Sequence, residues 1–212
     1  MPASSTLRDR RRLQTGREIQ SATLRLALRE GFEAVTTEMI AAEAGISLRT
    51  FFNYYANKEA ALVGKQPEIA PEIIDWFETA SGPLMNDLFE VLGRHLSDSH
   101  LSRETIGLID TLLERSPELV PTFHASLRKL SDQMVSPIVS RLDETARPEA
   151  ELLAELVAHA LAHAILIWSQ SDGMNEAEII GLARQQVVKL GKIINDVPVS
   201  TGASGNCHQP VA

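Results

Sequence analysis

The chain has 212 residues and a formal charge of −8, with 44% apolar and 23% charged residues. That is an ordinary composition for a soluble globular protein with enough chain for its own core, so disulfides are not required. The single Cys207 can make none internally, and no Cys/His cluster has zinc-site spacing. The basic start MPASSTLRDRRR has no apolar stretch behind it and does not read as a signal peptide. The longest uncharged apolar run, the 16 residues from Leu156 to Ser171, is shorter than a membrane span and carries His159 and His163. A buried helix and a cytoplasmic protein are expected.

Charge is unevenly spread. Residues 1–66 hold ten Lys/Arg against seven Asp/Glu, and residues 67–212 hold ten against twenty-one. A basic head on an acidic body puts any polyanion at the head.

The elements follow in chain order. Residues 1–12, with Arg8, Arg10, Arg11 and Arg12, read as a disordered basic arm. A helix is predicted from about Leu13 to Glu30, with Ile19, Ala22 and Leu26 on one face, and Gly31 stops it. Thr36 or Thr37 caps a short helix that ends at Ala44 and is closed by Gly45. Ser47 caps a second, from about Leu48 to Tyr54. Two short helices joined by the tight turn Gly45-Ile46-Ser47 form a helix-turn-helix. Asn57 caps a further helix from Lys58, which Pro67 and Pro71 interrupt. Helices are then expected over 71–80, 83–97, 102–115, 121–144, 149–171 and 175–195, with Pro137 kinking the fourth of these. From Pro198 the chain is polar and aperiodic and reads as a disordered tail. Strand alternation is missing, so the fold class is all-α.

The second short helix carries the chemistry. Phe51 and Tyr55 share one face and can dock onto Ile19, Leu26 and Ile40. The opposite side then presents Ser47, Leu48, Arg49, Thr50, Asn53 and Tyr54, as a recognition helix presents residues to the major groove. Arg49 can pair bidentately with a guanine edge, and Leu48 and Thr50 can touch a thymine methyl. Tyr54, Thr37 and Lys58 suit phosphates, Lys58 at the positive start of its helix.

The segment Glu43–Glu59, with Gly45-Ile46-Ser47, Thr50, Tyr54-Tyr55 and Asn57-Lys58-Glu59, resembles the signature of TetR-family transcriptional regulators. The likeness begins earlier, at Ile19, Ala22, Gly31-Phe32, Thr36-Thr37 and Ile40-Ala41, and runs over about residues 17–64. The body is similar to the family only in helix count, helix length and acidity. The resemblance implies an N-terminal three-helix DNA-binding domain with the helix-turn-helix over 13–64. It also implies a C-terminal helical ligand-binding and dimerisation domain over 65–197, followed by the tail 198–212. It assigns the same DNA-facing positions and adds Phe52 and Glu38. The expected interface with double-stranded DNA is then Thr36, Thr37, Glu38, Ser47, Leu48, Arg49, Thr50, Phe52, Asn53, Tyr54 and Lys58. Many relatives carry an aromatic or basic residue where Asn53 and Ala56 stand, which shifts phosphate contacts toward the arm, in the adjacent minor groove.

In the body, the 149–171 helix is apolar on more than one face, and Ala158, Ala160, Ala162 and Ala164 permit close approach. With the last helix it can build a four-helix interface between two copies. Leu153, Val157, Ala160, Leu161, Ala164, Trp168, Ile180 and Val187 are the expected seam. The resemblance places subunit pairing there, and a homodimer suits a palindromic operator. His159 and His163 share a face without further ligands nearby, so no metal site is expected; at a seam, their protonation would weaken the dimer at low pH. An apolar ligand cavity has candidate lining in Trp76, Phe77, Met85, Phe89, Leu92, Leu112, Phe123, Leu127 and Met134. His95, His100 and His124 are candidate anchors, and the resemblance implies a small-molecule inducer. No catalytic motif and no cofactor signature is present, so an enzyme is not expected. The expected function is a ligand-responsive repressor, with an activator or a ligand-independent DNA-binding protein as the alternative. The helix from Lys58, broken near Pro67, is the expected lever between head and body.

Overall fold

The computed structural model describes residues 7–65, 68–97 and 101–196. The helices are α1 (Leu7–Glu30), α2 (Thr37–Glu43), α3 (Leu48–Tyr54), α4 (Lys58–Val63), α5 (Pro71–Thr79), α6 (Leu84–Ser97), α7 (Arg103–Arg115), α8 (Val120–Arg141), α9 (Arg147–Gln170) and α10 (Glu178–Asn195). Single 3₁₀ turns lie at Phe32–Ala34, Pro117–Leu119 and Glu144–Ala146, and no strand occurs among the described residues. The fold is all-α.

Local chemistry sets the boundaries. Ser47, Asn57 and Ser102 each accept a hydrogen bond from the backbone N–H three residues on, the N-cap arrangement, at the starts of α3, α4 and α7. Gly45, at φ 66°, closes α2. Its N–H donates to Ala42 O at 3.1 Å, and that of Ile46 donates to Ala41 O at 2.9 Å, which satisfies two of the last carbonyls. Pro71 opens α5, where a missing N–H costs nothing.

Two boundaries differ from the sequence expectation. Helix α1 begins at Leu7, so residues 7–12, expected as part of a disordered arm, are helical. Arg and Leu, five of these six residues, are strong helix formers, and propensity outweighs the repulsion of a charge run there. Residues 1–6 lie outside the described residues. Helix α4 is only six residues long and stops at Gly64, φ 79°, before Pro67 is reached. The Gln20 amide donates to Leu62 O and Val63 O at 3.3 and 2.8 Å, covering its last carbonyls. Pro67, His100, Cys207 and the tail from 198 lie outside the described residues.

Three apolar clusters organise the chain. The head cluster joins Ile19, Leu26, Val35, Ile40, Phe51 and Tyr55 from α1 to the end of α3. The body cluster runs from Ile73, Phe77, Leu88, Phe89 and Leu92 through Met134 and Ile138 to Val157, Leu161, Ala164 and Trp168. The third is a seam between them, where Leu24, Ala27, Phe32 and Leu62 of the head meet Leu112 and Leu119 of the body.

Helix α9 is long and apolar enough, by length and composition, to cross a bilayer. In this fold it is the body's central helix, on which α7, α8 and α10 all pack. Arg103 ties its end to α7: the guanidinium lies 4.3 Å over the Trp168 ring and donates to the carbonyls of Trp168, Ser171 and Met174. A cation placed over the last carbonyls of a helix is favourable on both hydrogen-bonding and dipole grounds. Arg141 makes the second tie, reaching Asp87 and Gly82 O at 2.7 Å each and joining the end of α8 to the start of α6.

Candidate nucleic-acid interface

The head positions α3 through its buried side. Phe51 is fully buried, and Tyr55, at the end of the helix, donates its hydroxyl to Gly16 O at 3.0 Å. Burial pushes the Tyr55 phenol above its ordinary pKa. These contacts with Ile19, Leu26 and Ile40 are the ones the spacing predicts. Helix α3 is thereby fixed against α1 and α2, with its other side to solvent.

That outer side is exposed at Ser47, Leu48, Arg49, Phe52 and Asn53 and half-exposed at Thr50 and Tyr54. Ser47 Oγ accepts from Thr50 N at 3.0 Å and shares a hydrogen bond with Thr50 Oγ1 at 2.8 Å. The Phe52 ring stands edge-on to the buried Phe51 ring, centroids 5.3 Å apart. Arg49 and Asn53 have no hydrogen-bond or ion-pair partner among the described residues.

The remaining head positions are more committed. Thr36 Oγ1 accepts from Met39 N at 3.3 Å, and Thr37 Oγ1 donates to Glu38 Oε2 at 3.3 Å. The Glu38 carboxylate is held below its usual range by its own backbone N–H and by Thr36. It therefore sits, charged, at the start of α2. Lys58 does not stand free at the start of α4. Its Nζ donates to Phe32 O at 2.9 Å and Glu33 O at 3.2 Å and lies 4.6 Å from the Phe32 ring centroid. Arg29 pairs with Glu30 and Glu43 at 2.8 and 3.4 Å, and Arg25 lies 3.9 Å from Glu43 and 4.0 Å from Glu104 on α7. Among the described residues, Arg11, Arg12, Arg49 and Lys65 are exposed head cations without such side-chain ties.

The body residues regroup. Phe77, Phe89, Leu92 and Met134 are buried in the body cluster, with Trp76, Met85 and Leu127 half-buried against it. Leu112 and Phe123 belong instead to the seam with α1 and α4. His95 is half-buried on α6, whereas His124 is exposed and pairs with His159, ring centroids 5.7 Å apart. Trp168 is buried, and its indole N–H has no acceptor among the described residues.

The expected seam between copies also needs correction. Val157, Ala160, Leu161, Ala164 and Trp168 are covered within the chain by its own α7, α8 and α10, so they cannot form a face for a partner. Leu153, Ile180 and Val187 are half-buried against the same cluster. The open apolar residues are others: Leu152, 69% exposed, and Val188, Leu190, Ile193 and Ile194. The hydrogen bond between Gln186 Nε2 and His163 Nδ1, 3.0 Å, fixes the register of the α9–α10 hairpin. Counting outward from it in opposite directions brings Ile193 level with Leu156. The signal was present in the sequence as the spacing Leu152, Leu156, His159, His163.

Residues 19–63 match the bacterial regulatory proteins of the tetR family. No relative was found among curated proteins. Two solved structures are similar: a TetR-family transcriptional regulator from Mesorhizobium loti and Thermus thermophilus FadR, a TetR-family transcriptional repressor in complex with lauroyl-CoA. The first is 19% identical, with a TM-score of 0.43, over 86% of this chain and 98% of that one. The second is 20% identical, with a TM-score of 0.30, over 88% and 100%. Likeness at that level carries no conclusion about this chain. The capped helix-turn-helix and its packed head core coincide with the matched segment, so residues 19–63 form a DNA-binding head of the tetR-family type.

Proposed function

We propose that the chain is a homodimeric repressor that binds a palindromic operator through α3 and is released by a small, largely apolar ligand. The observation that carries the reading is Arg49. It is exposed and unpaired on the outer side of a helix whose inner side is locked by Phe51 and Tyr55. A free guanidinium on a fixed helix is suited to bidentate readout of guanine in the major groove. Leu48, Thr50, Phe52, Asn53 and Tyr54 complete the DNA-facing surface. Thr36, Thr37, Glu38 and Ser47 border it, and Arg11 and Arg12 on α1 supply phosphate contacts. Lys58 serves the head's own packing first, since two of its three donors are engaged.

The domain boundary in this reading falls at Gly64. Two copies pair through the open faces of α9 and α10, along Leu152, Leu156, Leu190 and Ile193, and a palindromic operator requires their two α3 helices to lie one helical turn or a multiple apart. The ligand is received by the body around Trp76, Phe77, Met85, Phe89, Leu92 and Met134, an apolar lining with Phe and Met that adapts to hydrocarbon. The ligand acts by its differential affinity for two head spacings.

The test is a gel shift with DNA from upstream of the protein's own gene, at two salt concentrations, comparing wild type with Arg49→Ala. The reading expects a specific shift that Arg49→Ala abolishes, with weak salt-sensitive binding left behind. Equal specific binding by both proteins would overturn it.

A further inference from the structure

We infer that α3 reads its half-site with two adjacent stripes: a polar one, Arg49 and Asn53, that selects purines, and an apolar one, Leu48 and Phe52, that selects the methyl groups of thymines. The inference deepens the proposed DNA-binding role and rests on it. Leu48 and Phe52 are four apart in one helix, and so are Arg49 and Asn53, so each pair lines up along the helix axis. The two lines are neighbours, offset by a single residue. All four side chains are exposed, Leu48 at 36% and Phe52 at 52%.

Each is also free for this use. Arg49 and Asn53 make no hydrogen bond or ion pair among the described residues, while the cations Arg25, Arg29 and Lys58 nearby are engaged. The apolar pair has no intrachain reason to face water. Phe52 is not loose, because its ring rests edge-on against Phe51, which is itself locked in the head core. That contact removes part of the ring's freedom before binding, which favours an apolar contact that would otherwise be weak.

The chemistry of the major groove fits both stripes. Arg donates two hydrogen bonds to guanine O6 and N7, Asn bridges adenine N6 and N7, and the thymine methyl is the one apolar group on a base edge. Four residues of helix rise about 6 Å, close to two base-pair steps of about 3.4 Å each. A helix lying along the groove therefore sets the guanine under Arg49 and the adenine under Asn53 about two steps apart. The thymine methyls lie alongside, under Leu48 and Phe52. The half-site is thus specified by chemistry: a guanine and an adenine in that spacing, flanked by thymines that are read through their methyl groups.

The experiment selects binding sequences for the full chain from a random duplex library and then edits the selected duplex. Replacing thymine by deoxyuridine removes only the methyl, and replacing guanine by 7-deazaguanine removes only N7. The expected result is a loss of about fourfold for each contacted methyl, the ratio that burying one such group gives. It should be confined to one or two thymines per half-site, and Leu48→Ala or Phe52→Ala should make those positions indifferent to deoxyuridine. The 7-deazaguanine substitution should weaken wild type about tenfold and leave Arg49→Ala unaffected. Specific binding that no deoxyuridine changes would overturn the apolar stripe while the regulator reading stands. A library that yields no preferred sequence would overturn both. Because the edits are made in the DNA, the wild-type result does not depend on whether a variant folds.

Discussion

The proposed dimer face gives the sharpest contrast between what the sequence suggests and what the packing permits, and Ile193→Asp tests it. Burying an isoleucine side chain contributes about 1.5–3 kcal/mol. Ile193 is 63% exposed in the single chain, so roughly 1–2 kcal/mol of that is still to be gained against a partner. A two-fold interface counts each position twice, so losing it costs about 2–4 kcal/mol. The dimer constant should weaken by about thirtyfold to a thousandfold, and like charges meeting near the axis add to this. Sedimentation equilibrium of the full chain reads the constant directly, and an unchanged melting temperature for the isolated subunit shows that the fold survives. Val157→Ala is the counterpart. Its side chain is 0% exposed, so it should cost the fold about 2 kcal/mol, lowering the melting temperature by about 4–8 °C, while leaving pairing nearly intact. A dimer unaffected by Ile193→Asp would refute the reasoning, and so would dissociation by Val157→Ala without loss of stability.

Gly64→Ala should destabilise the head by about 1–3 kcal/mol, because φ there is 79° and a Cβ would fall on the Gln20 amide; thermal melting of the variant checks it, and a wild-type melting temperature would contradict the account. Tyr55 has its pKa raised above 10.0, so the fold favours the neutral phenol. The stability it lends is full below pH 10.0 and is lost as pH climbs through the raised folded value. Tyr55→Phe should flatten that alkaline limb in a pH series of melts, at the expense of the bond to Gly16 O. Leu112→Ala should cost about 2–5 kcal/mol and speed hydrogen exchange in α7 and in the Leu24–Ala27 stretch of α1 together, since both line the same seam. Faster exchange in α7 alone would count against a shared seam.

Much of the head is legible in the sequence because its signals are local. Ser47, Asn57 and Gly45 each fix a helix end through a bond to a backbone group two to four residues away. The apolar spacing of Phe51 and Tyr55 names its own partners. Lys58 escaped for the opposite reason. Its position at a helix start suggests an anion, but its long side chain turns to Phe32 O, and a contact across 26 residues leaves no trace in local pattern. The charge run at Arg8–Arg12 reads as disorder because solvation and disorder look alike in composition, whereas residues 7–12 belong to α1. In the body, periodicity correctly marks α9 as apolar on several faces. It cannot say which faces the chain itself will cover. Val157 and Leu161 point to the chain's own helices and Leu152 does not, a difference set by the tertiary placement of α7, α8 and α10.

The same placement changes how head and body are joined. A long α4 leading into the body would act as a lever, but α4 is six residues long and ends in a glycine held by Gln20. The head is held instead by α1 against α7, through Leu24, Ala27 and Phe32 on one side and Leu112 and Leu119 on the other, with Arg25 and Glu104 at the edge. Helix α7 is in turn pinned at its start, where Arg103 covers the last carbonyls of α9 and stacks on Trp168. Helix α7 therefore lies along α1 from Glu104 to Leu112 while the neighbouring Arg103 grips the end of α9. Packed side chains move as blocks, because an interior at native density has little room to deform. A displacement of α9 beside Trp168 must be taken up either by breaking the Arg103 clamp or by carrying α7, and with it α1, to a new position. In the proposed ligand-responsive regulator, coupling between body and head would run through that packing, with Arg103 and Leu112 as the residues that tune it.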